Sequence, residues 1–241
     1  LHHLDGDRHD FVAEAPALGQ HFLADDNLLR LIARLAERGP EDVALEIGPG
    51  LGPLTRVLAD RCGHVHAVEL DRRLEAQLGS IAAAPNVSLQ WGDALRLNLA
   101  SLDPAPTKLV ANLPYNVATP IVAESIVGLP TVSLWCVMVQ REVADRFFAV
   151  PSTKAYGAVS VLVRLHARRT GFHPVSRTVF RPPPNVDSAL VAFERIPAPT
   201  DAGRVLRIVS ASFAHRRKTL ANALALAGVA RREAAVEALV A

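Results

Sequence analysis

The run Val43-Ala44-Leu45-Glu46-Ile47-Gly48-Pro49-Gly50-Leu51-Gly52 constrains the fold of this chain more than any other stretch. A mostly apolar, strand-length segment enters a turn with three glycines, and a helical pattern follows from about Pro53 to Cys62, stopped by Gly63. A strand, glycine turn and helix in this order open a nucleotide-binding α/β domain. Glycines let the backbone approach a ligand closely, and the helix N-terminus offers free N–H groups.

The alternation continues downstream. Val65 to Leu70, Val87 to Trp91, Lys108 to Ala111 and Val132 to Val139 read as strands, and Arg72 to Ala83, Thr119 to about Val127 and Arg141 to Phe148 as helices. Thr119 followed by Pro120 suits an N-cap and first turn. After Tyr156-Gly157 the pattern changes. Val159 to His166 and Ser188 to Phe193 predict an antiparallel strand pair at the sheet edge, separated by a segment holding Pro182-Pro183-Pro184. A linker over Ile196 to Thr200 leads into a helical tail from Gly203. The fold class is α/β, with a mainly parallel sheet covered by helices on both faces and a small helical unit at the C-terminus.

Charge divides the chain unevenly. Residues 1–154 carry 13 Lys and Arg against 19 Asp and Glu (net −6), and residues 155–241 carry 13 against 5 (net +8), which sum to the overall +2. The basic C-terminal part suits a polyanion, although a solvated basic surface explains the charge alone equally well. Cys62 and Cys136 lie far apart and the nine histidines have no metal-ligand spacing, so neither a disulfide framework nor a metal site is expected. The longest apolar stretches are strand-length, which predicts no membrane span and a cytoplasmic protein.

Three strand ends carry polar residues suited to an adenosine-containing ligand. Gly48 begins the turn after the first strand, Glu69 ends the second where a carboxylate can accept ribose hydroxyls, and Asp93 follows the third, placed for an adenine amino group. A dinucleotide-binding site requires a third glycine where Pro53 stands. Glu46 before the turn and Asp93 after the third strand suit S-adenosylmethionine better.

Asn112-Leu113-Pro114-Tyr115, directly after the fourth strand, is the most specific signal. It has the form of the motif used to methylate amino nitrogens conjugated to a ring. Such an amine is a poor nucleophile because its lone pair is delocalised. The Asn112 side-chain carbonyl and the Leu113 backbone carbonyl can accept its N–H groups, Pro114 fixes the loop, and Tyr115 offers a face to an extruded base.

Taken with Leu18 to Leu23, Glu46 to Gly52, Val68 to Asp71, Asn112 to Asn116, Tyr156-Gly157, Pro182 to Ser188 and Arg216 to Leu220, the chain resembles the KsgA family from Ala17 to about Ala227. These are the small-subunit ribosomal RNA adenine dimethyltransferases. The resemblance implies a Rossmann-like methyltransferase domain with a seven-stranded sheet over residues 1–195 and a small, incomplete helical domain over 201–241. It implies S-adenosylmethionine as cofactor, contacted by His21, Leu23, Gly48, Glu69, Asp93 and Asn112. It further implies a monomer whose substrate is 16S rRNA within a small ribosomal subunit particle, dimethylated at two adjacent adenosines. His21 stands where many members have Asn, and both can hydrogen-bond the methionine end of the cofactor. Leu1 to Asp10 is acidic where members tend to be basic.

Phe180 reads equally as a core phenylalanine or as the family's second aromatic, closing on the adenine opposite Tyr115. Residues 164–181 hold Arg164, Arg168, Arg169, Arg177 and Arg181 without an acid, and residues 204–218 hold Arg204, Arg207, Arg216, Arg217 and Lys218 likewise; both segments suit phosphates. The nearest alternative is an Erm-type enzyme acting on 23S rRNA, disfavoured by the wording of the Asn112 motif and of Pro182 to Ser188. A DNA adenine methyltransferase lacks its target-recognition domain here. A non-catalytic assembly factor of the same fold would not need so complete a cofactor site.

Overall fold

The computed structural model describes residues 22–23, 25–36, 39–215 and 218–240. In chain order the elements are β1 (Phe22–Leu23), α1 (Asp26–Leu35), β2 (Val43–Ile47), α2 (Pro53–Ala59), β3 (His64–Glu69), α3 (Glu75–Ala82), β4 (Val87–Trp91), β5 (Lys108–Asn112) and α4 (Ala118–Gly128). They continue with β6 (Leu134–Gln140), α5 (Arg141–Phe147), α6 (Ala158–His166), β7 (Ala167–Val175), β8 (Phe180–Arg181), β9 (Ser188–Arg195), α7 (Ala202–Ala214), α8 (Leu220–Leu226) and α9 (Arg232–Val240).

A seven-stranded sheet runs in the order β4-β3-β2-β5-β6-β9-β7, and β1 and β8 pair separately. β4 to β6 are parallel, while β9 is antiparallel to both β6 and β7. The central strands are apolar almost throughout because helices cover both of their faces. Leu45, Ile47, Leu109, Ala111 and Val137 enter one core layer, and the alternate residues Ala44, Val110, Cys136 and Met138 enter the other. Parallel strands all finish at one edge of the sheet, and ligands bind outside that edge.

The region after Gly157 departs from expectation. Val159 to His166, expected as a strand, is the helix α6, and the edge strand is the following β7. Alternating valines gave the segment a strand-like look, but burial follows helical spacing: Val163 is fully buried, with Val159 and Leu162 packed against the same core. The Ser160 hydroxyl accepts the Gly157 N–H (3.1 Å) and donates to the Arg146 carbonyl (2.6 Å), which caps the helix start. Thr119 is likewise not an N-cap. The Val117 N–H donates to the Pro114 carbonyl (3.1 Å), and the chain is already helical at Ala118.

Helices α7 to α9 pack on one another around Ala211, Ala221, Leu224 and Ala235. Tyr156 and Phe213 meet edge to face at 5.8 Å, joining α7 to the loop before α6. Cys62 and Cys136 are both buried, in different parts of the fold. Among the described residues, no helix is long and apolar enough to cross a membrane.

Arg195 closes the far end of the sheet on α4. Its guanidinium donates to the carbonyls of Ile126, Leu129 and Val132 at 2.6–3.2 Å and lies 4.9 Å from the Trp135 ring centroid. Replacing Arg195 with Met keeps the aliphatic stem but deprives these carbonyls of their donor, and should lower unfolding free energy by about 1–3 kcal/mol in urea titrations. An unchanged midpoint would show that water replaces the guanidinium without loss.

Candidate active site

The glycine turn after β2 takes a conformation that side chains other than glycine resist. Gly48, Gly50 and Gly52 have φ of +73°, +60° and +80°. A Cβ on Gly48 would lie 3.3 Å from Pro114 Cγ, so the turn lies directly against the loop after β5. A Cβ on Gly52 would lie 2.0 Å from Ile81 Cδ1, so this glycine lets the turn close on α3.

Glu69, at the end of β3, is only 3% exposed. Its carboxylate accepts the backbone N–H groups of Gly50 (3.2 Å), Leu70 (2.8 Å) and Asp71 (2.9 Å). The acid therefore ties the glycine turn to the β3 loop, and three of about four lone-pair positions are already engaged. Asp93 is more open. Its Oδ1 accepts the Leu95 N–H (3.0 Å) and its Oδ2 faces Arg96 at 3.4 Å. The Gly92 N–H donates to the Glu69 carbonyl (2.9 Å), which brings the two acidic loops side by side.

Asn112 is the last residue of β5, opposite Met138 of β6. The Leu113 N–H donates to the Met138 carbonyl (3.0 Å) while the Leu113 side chain is buried in the core, so the motif is fixed on both sides of its peptide. Tyr115 is half-buried, with its phenol oxygen 2.5 Å from the Ser188 hydroxyl. Burial raises the phenol above its ordinary pKa and the Ser188 hydrogen bond partly opposes this, so the group is a neutral phenol at physiological pH.

Gly48 and the Asn112 to Tyr115 motif are thus brought together, with Glu69 reaching into the same glycine turn. Phe180 is placed differently. Its ring is completely buried in the core layer with Leu28, Leu29, Met138 and Leu190, and offers no free face in this conformation. Leu23 pairs through its backbone with Phe180, and His21 lies outside the described residues. Several arginines of the basic segment are engaged internally. Arg168 pairs with Glu194, Arg169 stacks near Phe148 and Phe172, and Arg164 and Arg177 donate to the Ala149 and Asn185 carbonyls, whereas Arg181 is exposed. Arg216 and Arg217 also lie outside the described residues. Among the described residues, no group of three or more His, Cys, Asp or Glu is placed to hold a metal ion.

Ser188 was not singled out as a site residue by the sequence, and Glu46 only as a neighbour of the turn. Glu46 is 1% exposed and its Oε2 makes no hydrogen bond among the described residues. Burial pushes its carboxyl up to about 8; the nearby Glu69 charge adds to this and the Thr55 hydroxyl opposes it, although without hydrogen-bond geometry. An acid inside an otherwise apolar strand was the available signal.

The sheet order, the antiparallel β9 and the glycine turn packed against an Asn-Leu-Pro-Tyr loop define a Rossmann-like methyltransferase. The model of the ribosomal RNA adenine dimethylase family matches residues 14–240, and the chain belongs to that family. It is 48% identical over 224 residues to "Ribosomal RNA small subunit methyltransferase A" of Thermobifida fusca, covering 88% of this chain and 77% of that protein. Its fold is similar to that of a dimethyladenosine transferase from Plasmodium falciparum (TM-score 0.72, 26% identity, 87% of this chain and 76% of that one). It is also similar to the 23S rRNA methyltransferase ErmE (TM-score 0.65, 29% identity, 84% of this chain and 83% of that one).

The buried acid makes stability depend on pH. Folding raises the Glu46 pKa from 4.5 to about 8, so between these values the folded chain holds a proton that the unfolded chain has released. The contribution is complete below the lower value, falls as pH rises by at most about 1.4 kcal/mol per unit, and is flat above the upper value. Glu46→Gln should therefore gain stability relative to the parent as pH rises from 5 to 8 in urea titrations. A difference that does not change with pH would mean that Glu46 is already ionised at pH 5.

Proposed function

We propose that this chain transfers methyl groups from S-adenosylmethionine to the N6 amine of adenosines in 16S rRNA, dimethylating two adjacent adenosines in a small-subunit particle. It does so as a monomer in the cytoplasm, with the C-terminal helices as a small separate unit facing the RNA. The observation that carries this reading is that a Cβ on Gly48 would lie 3.3 Å from Pro114 Cγ, so the glycine turn and the Asn112 to Tyr115 motif lie side by side. The buried Glu69, the left-handed glycines and the unmatched Glu46 oxygen fit a cationic, ribose-bearing cofactor.

Gly48, Glu69 and Asp93 would hold the cofactor, with Asn112 reaching it from the motif and His21 and Leu23 from the N-terminal side. When bound, S-adenosylmethionine supplies an electrophilic methyl group. The chain's residues do the rest. Asn112 and the Leu113 carbonyl accept the amine's N–H groups and favour a pyramidal nitrogen, and Tyr115 carries the extruded adenine on its ring. The amine proton leaves to water, so no general base is required and catalysis is mainly positioning. Phe180 joins as a second stacking face only if its ring leaves the core.

Small-subunit rather than large-subunit RNA is favoured by the 48% identity to a protein with the small-subunit name, against 29% to ErmE. Purified protein given labelled S-adenosylmethionine should place dimethyladenosine at neighbouring positions of 16S rRNA in small-subunit particles and leave 23S rRNA unlabelled. Label on protein-free 23S rRNA would overturn the assignment in favour of the Erm reading.

Two substitutions separate binding from chemistry. Glu69→Ala should weaken S-adenosylmethionine binding by about 1–3 kcal/mol in calorimetry, the value of a hydrogen bond to a charged group. Asn112→Ala should lower the methylation rate far more than RNA affinity, because its hydrogen bonds strengthen as the nitrogen becomes tetrahedral. Parental turnover in Asn112→Ala would rule out that role.

A further inference from the structure

We propose that Ser188 is a positioning residue for methyl transfer, holding the Tyr115 ring in the plane on which the target adenine stacks. The inference rests on the stacking role proposed for Tyr115. Ser188 ends the Pro182 to Ser188 segment, whose part in the chemistry is otherwise unassigned. It opens β9 opposite Gln140 of β6 and Val175 of β7, so strands on both sides fix its backbone, and it is fully buried. Tyr115 has the opposite situation. It lies in the turn between β5 and α4, outside any strand ladder, with its ring half-buried.

The 2.5 Å contact between the two hydroxyls joins a residue of the turn to one paired with strands on both sides. A hydrogen bond at the phenol oxygen, at the far end of the ring from Cα, restricts the tilt of the ring plane. Setting the plane matters because a stacked base inherits the orientation of its platform, and small misplacements of reacting atoms cost rate steeply. Asp187 steadies the anchor. Its carbonyl accepts the Arg141 N–H (3.0 Å) and its Oδ1 accepts the Arg177 N–H (3.2 Å), tying the start of β9 to α5 and to the basic segment.

The test is a double-mutant cycle on single-turnover methylation of small-subunit particles, with cofactor and particle affinities measured beside it. Ser188→Ala and Tyr115→Phe should each slow methyl transfer about two- to tenfold, the range for one neutral hydrogen bond, and leave both affinities unchanged. The double variant should be no slower than Tyr115→Phe. If Ser188→Ala slows the Tyr115→Phe background as much as it slows the parent, or slows neither, the proposal is overturned. Tyr115→Leu distinguishes the two levels. A parental rate there removes the stacking role and the proposal with it, whereas a large loss without Ser188–Tyr115 coupling removes the proposal alone.

Discussion

The site depends on a ladder of main-chain hydrogen bonds that continues past the ends of the strands. The Gly48 N–H reaches the Val68 carbonyl (2.9 Å), the Gly92 N–H the Glu69 carbonyl (2.9 Å) and the Leu113 N–H the Met138 carbonyl (3.0 Å). Each loop therefore starts from a point fixed by the neighbouring strand. Because the strands involved are parallel, all three loops emerge at the same edge, and residues from Gly48 to Asn112 become neighbours although far apart in the chain. A one-residue slip of β5 would turn Asn112 to the other face and separate the motif from the turn.

The buried acids Glu46, Glu69 and Asp71 lie at or near this edge. Glu69 is stabilised there because three backbone N–H groups compensate its lost water, whereas Glu46 has no such set and keeps its proton instead. Glu46 and Glu69 lie on adjacent strands yet differ in hydrogen bonding, and the difference comes from where backbone donors point. A structure optimised for stability alone would place an apolar residue at Glu46.

Much of this was legible in the chain itself. The strand, glycine turn and helix from Val43, the acids Glu69 and Asp93 and the motif at Asn112 could be read because each uses residue types whose local chemistry is distinctive. Val159 to His166 could not, since alternating valines satisfy a strand pattern while the packing of Val163 and the cap by Ser160 require a helix. Phe180 stood open between a core and a stacking role because one aromatic beside three prolines has the same local pattern in either. The core layer it shares with Leu28, Leu29, Met138 and Leu190 draws these from three other segments of the chain.

The sequence by itself determined the parallel α/β class, the family, the glycine turn after β2 and the Asn112 to Tyr115 motif after β5, because these reside in short contiguous runs. Only the tertiary structure decided that Gly48 lies against Pro114, that the buried Glu46 Oε2 finds no hydrogen bond among the described residues and that Ser188 contacts Tyr115. These depend on strand register and face, which join residues up to 73 positions apart and leave no mark on local pattern.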